Sequence, residues 1–206
     1  MPGTKFPTLL VVLAVVVGSL VFACGVGGLA YLLYVHERPQ PVTQAERDIL
    51  LTAEALAPVF EIAVDPARGQ AKHVSYLDGS RELSYEYDSP DEAENPLYLA
   101  NTLNIERSLS DARTVYLSTT LGLKLGMALE GEEALQEVPK PGLFAWGEQS
   151  KGSLLVKAGR PVGNVFAGRK GRRVFHLTVV GVYFDDRKDV DATLGPLLRR
   201  FEAYRP

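Results

Sequence analysis

The residues of this chain best suited to chemistry are few and scattered. Arg169, Lys170, Arg172 and Arg173 place four positive charges within five positions. Such a cluster attracts anionic lipid head groups, an acidic protein surface or a nucleic acid. His36, His73 and His176 are the three histidines, far apart in sequence and without the HExxH or CxxC spacing that builds a metal site. His73 or His176 beside a carboxylate would serve as the general base of a hydrolase. No GxSxG, P-loop or GxGxxG pattern accompanies them, and no serine has a nucleophile's surroundings. The acidic run DDRKDVD lacks the central Gly and terminal Glu of an EF-hand loop, and it reads as a helix cap. Trp146 reads as core or groove lining. No residue is assigned as catalytic, and no metal or cofactor is implied.

The basic cluster has an unusual setting. Between Gln149 and Phe184 there are seven Lys or Arg, with Lys151, Lys157 and Arg160 completing the set, and no Asp or Glu. Lys170-Gly171 lies between two alternating apolar runs, where a hairpin turn belongs. A turn and a binding patch are compatible readings of the same residues. As a patch, Arg169, Lys170, Arg172 and Arg173 would meet anionic lipid first, since each cation near an anionic surface contributes about 1 kcal/mol. An acidic protein partner is second. Nucleic acid is excluded, because no reading helix or aromatic stacking motif accompanies the charges.

What holds these residues in place begins with a membrane segment. No charged residue lies between Lys5 and His36, and Thr8–Val35 is almost wholly apolar. At about 1.5 Å per residue this run spans roughly 40 Å, enough to cross a hydrocarbon core of about 30 Å with tilt. A cleavable signal peptide would have a shorter apolar core. The stretch LVFAC resembles a lipobox with Cys24 as the acylated residue, the competing reading for this segment. Ser19, Ala23 and Gly27 form a small-residue face through which two such helices could pair as a homodimer. The Lys and Arg counts flanking the span nearly cancel. A short N-terminus before a large C-terminal domain fits a signal anchor, with the domain outside the cytoplasm.

Residues 1–36 contain Lys5 and no acid, so the 22 basic and 25 acidic residues of the whole chain leave 21 against 25, a net −4, for the remainder. That remainder holds no cysteine, so no disulfide is required. Residues 37–44 (ERPQPVTQ being the Pro-containing stretch) read as an extended linker, and 45–206 as one globular domain. Thr43 and Glu46 have capping-box spacing. Ala45, Ile49, Ala53, Leu56 and Phe60 predict a helix closed by Pro58, followed by a strand over VFEIAVD. Two strands joined at Asp78-Gly79 and a further strand over 97–106 come next.

The spacing predicts a central helix over 110–130, capped from Ser108, with Leu117, Leu121, Leu125 and Leu129 as its apolar face. Strands over LFAWGEQ, SLLVKA, GNVFAGR and RRVFHLTVVGVYF should come after it. A last helix, DVDATLGPLLRRFEAY, would turn Val190, Leu194, Leu197, Leu198 and Phe201 inward. Asp189 or Asp191 would cap it, and Pro196 would restrict its regular part to the residues beyond the proline. The order describes an α+β fold, an antiparallel sheet with helices packed on it as an α-β-α sandwich.

The run WGEQSKG…AGRPVGNVFAGRKGRRVFHLTVVGVYFDD…LGPLLRRF resembles the closing pattern of PsbP-like domains over about residues 108–204. The resemblance rests on a mid-chain helix, the Gly147-Glu148 turn, an Arg-Gly-tipped hairpin and a terminal helix. It implies an α-β-α sandwich with a non-catalytic accessory or binding role, and it transfers no functional residue. The transmembrane anchor departs from the lipid anchor usual in that family. The reading is therefore a single-pass membrane protein with an extracytoplasmic binding domain. A membrane-tethered hydrolase and a structural subunit of a membrane complex are the rivals.

Overall fold

The computed structural model describes residues 38–205 apart from 91–92, 94–95 and 129–134. The span Thr8–Val35, with Cys24, His36 and the Ser19, Ala23, Gly27 face, lies outside the described residues. No helix among the described residues is long and apolar enough to cross a membrane.

The fold is α+β. Eight strands make one sheet: β1 (Arg38–Gln40), β2 (Gln70–Ser75), β3 (Arg81–Asp88), β4 (Tyr98–Ile105), β5 (Gln136–Pro139), β6 (Gln149–Lys157), β7 (Arg160–Lys170) and β8 (Arg173–Val180). Their order is β1-β2-β3-β4-β8-β7-β6-β5, and every neighbouring pair is antiparallel. Among the described residues four α-helices accompany them: α1 (Gln44–Arg47), α2 (Ala53–Phe60), α3 (Leu109–Ala128) and α4 (Arg187–Ala203).

Register assigns the two faces. His73 lies opposite Leu83, Leu83 opposite Leu103, and Leu103 opposite Phe175. This face carries the main core, joined by Leu56 of α2, by Leu194 and Phe201 of α4, and by Phe144 and Trp146 of the β5–β6 connection. Each of these large side chains contributes about 1.5–3 kcal/mol by leaving water. One residue along, Ser84, Thr102, His176 and Ala167 share a row that faces the other way. There only a small apolar cluster forms, Ala112 and Tyr116 of α3 against Ala167 and Val174. Helices thus lie on both faces, over one apolar and one largely polar side.

Several expectations need correction. The segment read as a linker supplies β1, which pairs Arg38–Gln40 with Ser75–His73 at the sheet edge. The capping box at Thr43 forms, with Thr43 N donating to Glu46 Oε2 at 2.7 Å and Glu46 N to Thr43 Oγ1 at 3.3 Å. The helix that it starts ends at Arg47, however. Ile49, Leu50 and Leu51 are all buried; three consecutive positions of a helix point about 100° apart and cannot all enter one core. Helix α2 then runs through Pro58 to Phe60 and is ended by Glu61 in the left-handed conformation, so VFEIAVD is no strand.

The Asp78-Gly79 hairpin forms as expected, with Gly79 at φ +88°. The β5 strand replaces the expected strand over LFAWGEQ. Helix α3 presents a different side from the one its leucines suggested. Leu117 and Leu121 are exposed, while Ala112 and Tyr116 pack on the sheet; Leu125 and Leu129 lie outside the described side chains. The α4 helix is continuous through Pro196, and the five expected core positions are buried. Its cap is Asp186, which accepts Lys188 N at 2.7 Å, and neither Asp189 nor Asp191. The amide that Pro196 lacks would have met Ala192, and both residues are exposed, so water can satisfy the freed carbonyl.

Candidate functional site

The basic hairpin does not present four free cations. Arg169 is only 6% exposed. Its Nε donates to Gln149 Oε1 at 2.6 Å and its Nη1 to Gly171 O at 3.1 Å, and Glu148 Oε2 is 3.4 Å away. Lys170 Nζ pairs with Glu202 Oε2 at 2.7 Å. Arg173 donates to the carbonyls of Phe201 and Tyr204 at the end of α4, and its guanidinium lies over the Phe201 ring. Cations there complement both the unsatisfied carbonyls and the negative end of the helix dipole. Arg172 is exposed, as Lys170 is, and donates to Arg107 O at 3.2 Å.

The turn between them also forms as the sequence predicts. Lys170 pairs with Arg173 across a two-residue loop, and Gly171 has φ +59°. Glu148 reaches over to accept the Gly171 amide with both carboxylate oxygens, at 3.1 and 3.0 Å, a contact that holds its carboxyl below the usual range. The acids that neutralise this stretch therefore come from outside the acid-free window, Glu148 from its edge and Glu202 from the end of α4.

The two histidines do not meet. His73 is in the main core, its Nδ1 3.1 Å from Glu46 Oε1 and its Nε2 3.3 Å from Ser75 Oγ. Burial works against ionisation of Glu46, yet hydrogen bonds from Tyr204 and Thr43 hold its carboxyl below the ordinary value. This set joins α1, β2 and the C-terminal end of α4, and among the described residues it lines none of the three main cavities. His176 is on the opposite face. It is partly buried, and its Nε2 is sealed from water without a hydrogen-bond partner. Burial, then the nearby Lys151, pull its pKa down to about 4, so the ring is neutral at physiological pH. A hydrolase would need a histidine in a cleft with a carboxylate at hydrogen-bond distance. His73 has the carboxylate without the cleft, and His176 has the cleft without such a contact.

The cleft itself was not anticipated. It has a volume of about 480 Å3 and lies between the polar face of the sheet and α3. The β2–β3 hairpin supplies Tyr76, Asp78, Ser80 and Glu82. The β4 strand and the residue after it supply Thr102, Asn104 and Glu106; α3 supplies Val115 and Thr119, and β8 supplies His176. Alternation explains the gathering: Glu82 is opposite Asn104 and Thr102 opposite His176, so each polar member alternates with a core residue along its strand. Asp78 closes the hairpin turn through Ser80, accepting from its hydroxyl at 2.6 Å and its amide at 2.9 Å, which holds its carboxyl below the usual value.

Glu106 is the unusual member. It is nine-tenths buried. Among the described residues no donor or cation meets its carboxyl. Burial, and then the charges of Asp78, Asp111 and Glu82, push its pKa up to about 7. Arg107, the next residue along the chain, is engaged with Asp111 at 3.4 Å. Among the described residues no three His, Cys, Asp or Glu converge closely enough to hold a metal ion. The site is thus an acid-lined, open cavity.

No protein-family model matches the chain, and no curated protein matches it. Among solved structures, the extracellular domain of PknH from Mycobacterium tuberculosis is similar, with a TM-score of 0.50 over 80% of this chain and 99% of that one, at 9% identity. At that identity the likeness is one of fold.

Proposed function

We propose that this chain is a single-pass membrane-anchored protein whose α+β domain lies outside the cytoplasm and binds a small ligand without catalysis. The observation that carries the binding reading is the cavity between α3 and the polar face of the sheet, at whose wall Glu106 is buried without a partner among the described residues. Buried polar groups are ordinarily satisfied, and a pocket with a few unsatisfied, convergent polar groups is a binding site by default. The apolar run Thr8–Val35 supports the anchor, and the fold shared with an extracellular domain supports the location. A relationship to PsbP-like domains belongs to the same proposal, supported by the helix–sheet–helix layering.

Two measurements test it. A cysteine at exposed Leu77, with Cys24→Ala, should label with an impermeant maleimide in intact cells; protection until lysis would place the domain in the cytoplasm. Native mass spectrometry of the full chain, released from its own membrane into detergent, should show a small bound molecule. Thr102→Phe, which fills the cavity, should lose it. An unliganded wild-type chain, or equal occupancy in the variant, would defeat the binding reading.

A further inference from the structure

The cavity also indicates the chemistry of its occupant, an inference that rests on reading the cavity as a binding site. Among the described residues its lining holds three carboxylates, Asp78, Glu82 and Glu106, and no Lys or Arg. Asp111 adds a fourth negative charge that acts on Glu106 from the first turn of α3. Arg107, which also acts on Asp78, is more than half exposed and is held by Asp111. It stands outside the lining. The one ring nitrogen base at the wall, His176, is kept neutral by burial and by Lys151, so it offers no balancing charge.

Acidic residues alone would be an ordinary solvated surface. Glu106 makes the difference. It is nine-tenths buried at the cavity wall, with no donor from the described residues. An unpaired buried carboxylate is costly, and a cation or a donor relieves it. The remaining wall restricts which cation. No convergent set of three ligands exists for a metal ion among the described residues. Thr102 and Thr119 supply hydroxyls, Val115 an apolar strip, and Tyr76 an aromatic ring, which suits a cation on a short carbon chain.

We infer that the cavity binds a small organic cation, an alkylammonium compound whose charged nitrogen is held by Glu106, with Asp78 raising its local concentration. A cation of that kind would donate to the carboxyl that the described residues leave unmet. The volume of about 480 Å3 lies within the range of small-molecule sites and accommodates a linear diamine.

The test uses the full chain in detergent micelles, titrated calorimetrically with three probes of matched length: 1,4-diaminobutane, butane-1,4-diol and succinate. Diaminobutane should bind, and the other two should not. Glu106→Gln should weaken diaminobutane by about tenfold or more, the usual loss when a charged hydrogen-bond partner is removed. A thermal melt of that variant, at least as stable as wild type at pH 8, keeps the result separate from misfolding. Thr102→Phe should abolish diaminobutane binding as a second check. Equal affinity of diaminobutane for wild type and Glu106→Gln would overturn the inference. Binding of the diol or succinate in place of the diamine, lost in Thr102→Phe, would overturn the cationic assignment and leave the binding site standing. Absence of binding by all three probes would count against both.

Discussion

His73 and His176 occupy opposite faces of one sheet. His73 shares a register row with Leu83, Leu103 and Phe175, and His176 is the residue after Phe175. A step of one residue along a strand reverses the side chain, so the two rings are separated by the sheet itself. One belongs to a packed core contact and the other to a cavity wall. Their different surroundings lead to different experiments.

The core histidine depends on Glu46. That carboxylate caps α1 through the Thr43 amide, accepts Tyr204 Oη at 2.6 Å and stands 3.1 Å from His73 Nδ1. Glu46→Ala removes the cap and leaves buried groups unpaired, so it should cost about 2–4 kcal/mol in chemical denaturation. Binding of any cavity ligand should be unchanged in the surviving folded fraction.

On the other face, Glu106 makes stability depend on pH. Its folded pKa of about 7 stands above the ordinary 4.5. Below 4.5 both states are protonated and nothing is lost. As pH rises from 4.5 to 7 the unfolded chain releases its proton while the folded one retains it, so folding stability falls, and above 7 the loss is complete. The magnitude is on the order of 2–3 kcal/mol. Glu106→Gln should flatten this part of the pH–stability curve and raise the melting temperature at pH 8. An unchanged curve would show that Glu106 ionises normally.

The basic hairpin should separate into structural and surface members. Arg169→Ser removes a buried guanidinium with two hydrogen bonds, and Arg173→Ser uncovers the last carbonyls of α4; each should cost about 1–3 kcal/mol. Arg172→Ser, at the exposed turn, should be nearly silent in thermal melts. The anionic-lipid proposal is therefore tested cleanly by Arg172→Ser in vesicle co-sedimentation, because a quadruple substitution would confound binding with unfolding.

Trp146 provides an optical probe of the α4 contact. Its Nε1 donates to Glu202 Oε1 at 2.7 Å, and the other oxygen of Glu202 meets Lys170. The Lys170 contact comes first among the interactions that hold the Glu202 carboxyl below its ordinary value, against a smaller opposing effect of burial. A depressed carboxyl contributes its stability above its unfolded pKa and loses it as pH falls through the folded one. Acidification below the ordinary carboxylate range should therefore shift Trp146 emission, and Glu202→Gln should abolish that shift.

Some of this was legible in the linear chain. Alternation and a Gly turn located β2, β3, β4 and the β7–β8 hairpin, and Val190, Leu194, Leu197, Leu198 and Phe201 marked the buried side of α4, because local periodicity reports which side of an element is apolar. Periodicity failed for α3, whose Leu117 and Leu121 are exposed while Ala112 and Tyr116 pack inward. Close approach to a sheet there selects a small residue and an aromatic one, which a leucine count does not detect.

The residues by themselves determined an apolar N-terminal run, an α+β domain and a cation-rich hairpin. Only the tertiary structure decided what those charges meet. Glu148 and Glu202 neutralise the hairpin from positions 23 and 32 residues away from Gly171 and Lys170. The cavity likewise draws its lining from three strands and a helix, whose polar alternates looked like ordinary solvent-facing positions until strand register placed Glu82, Asn104, Thr102 and His176 on one side of the sheet. Register and helix docking are long-range properties, set by the packing of one apolar face, and that packing is what gathered the acids around Glu106.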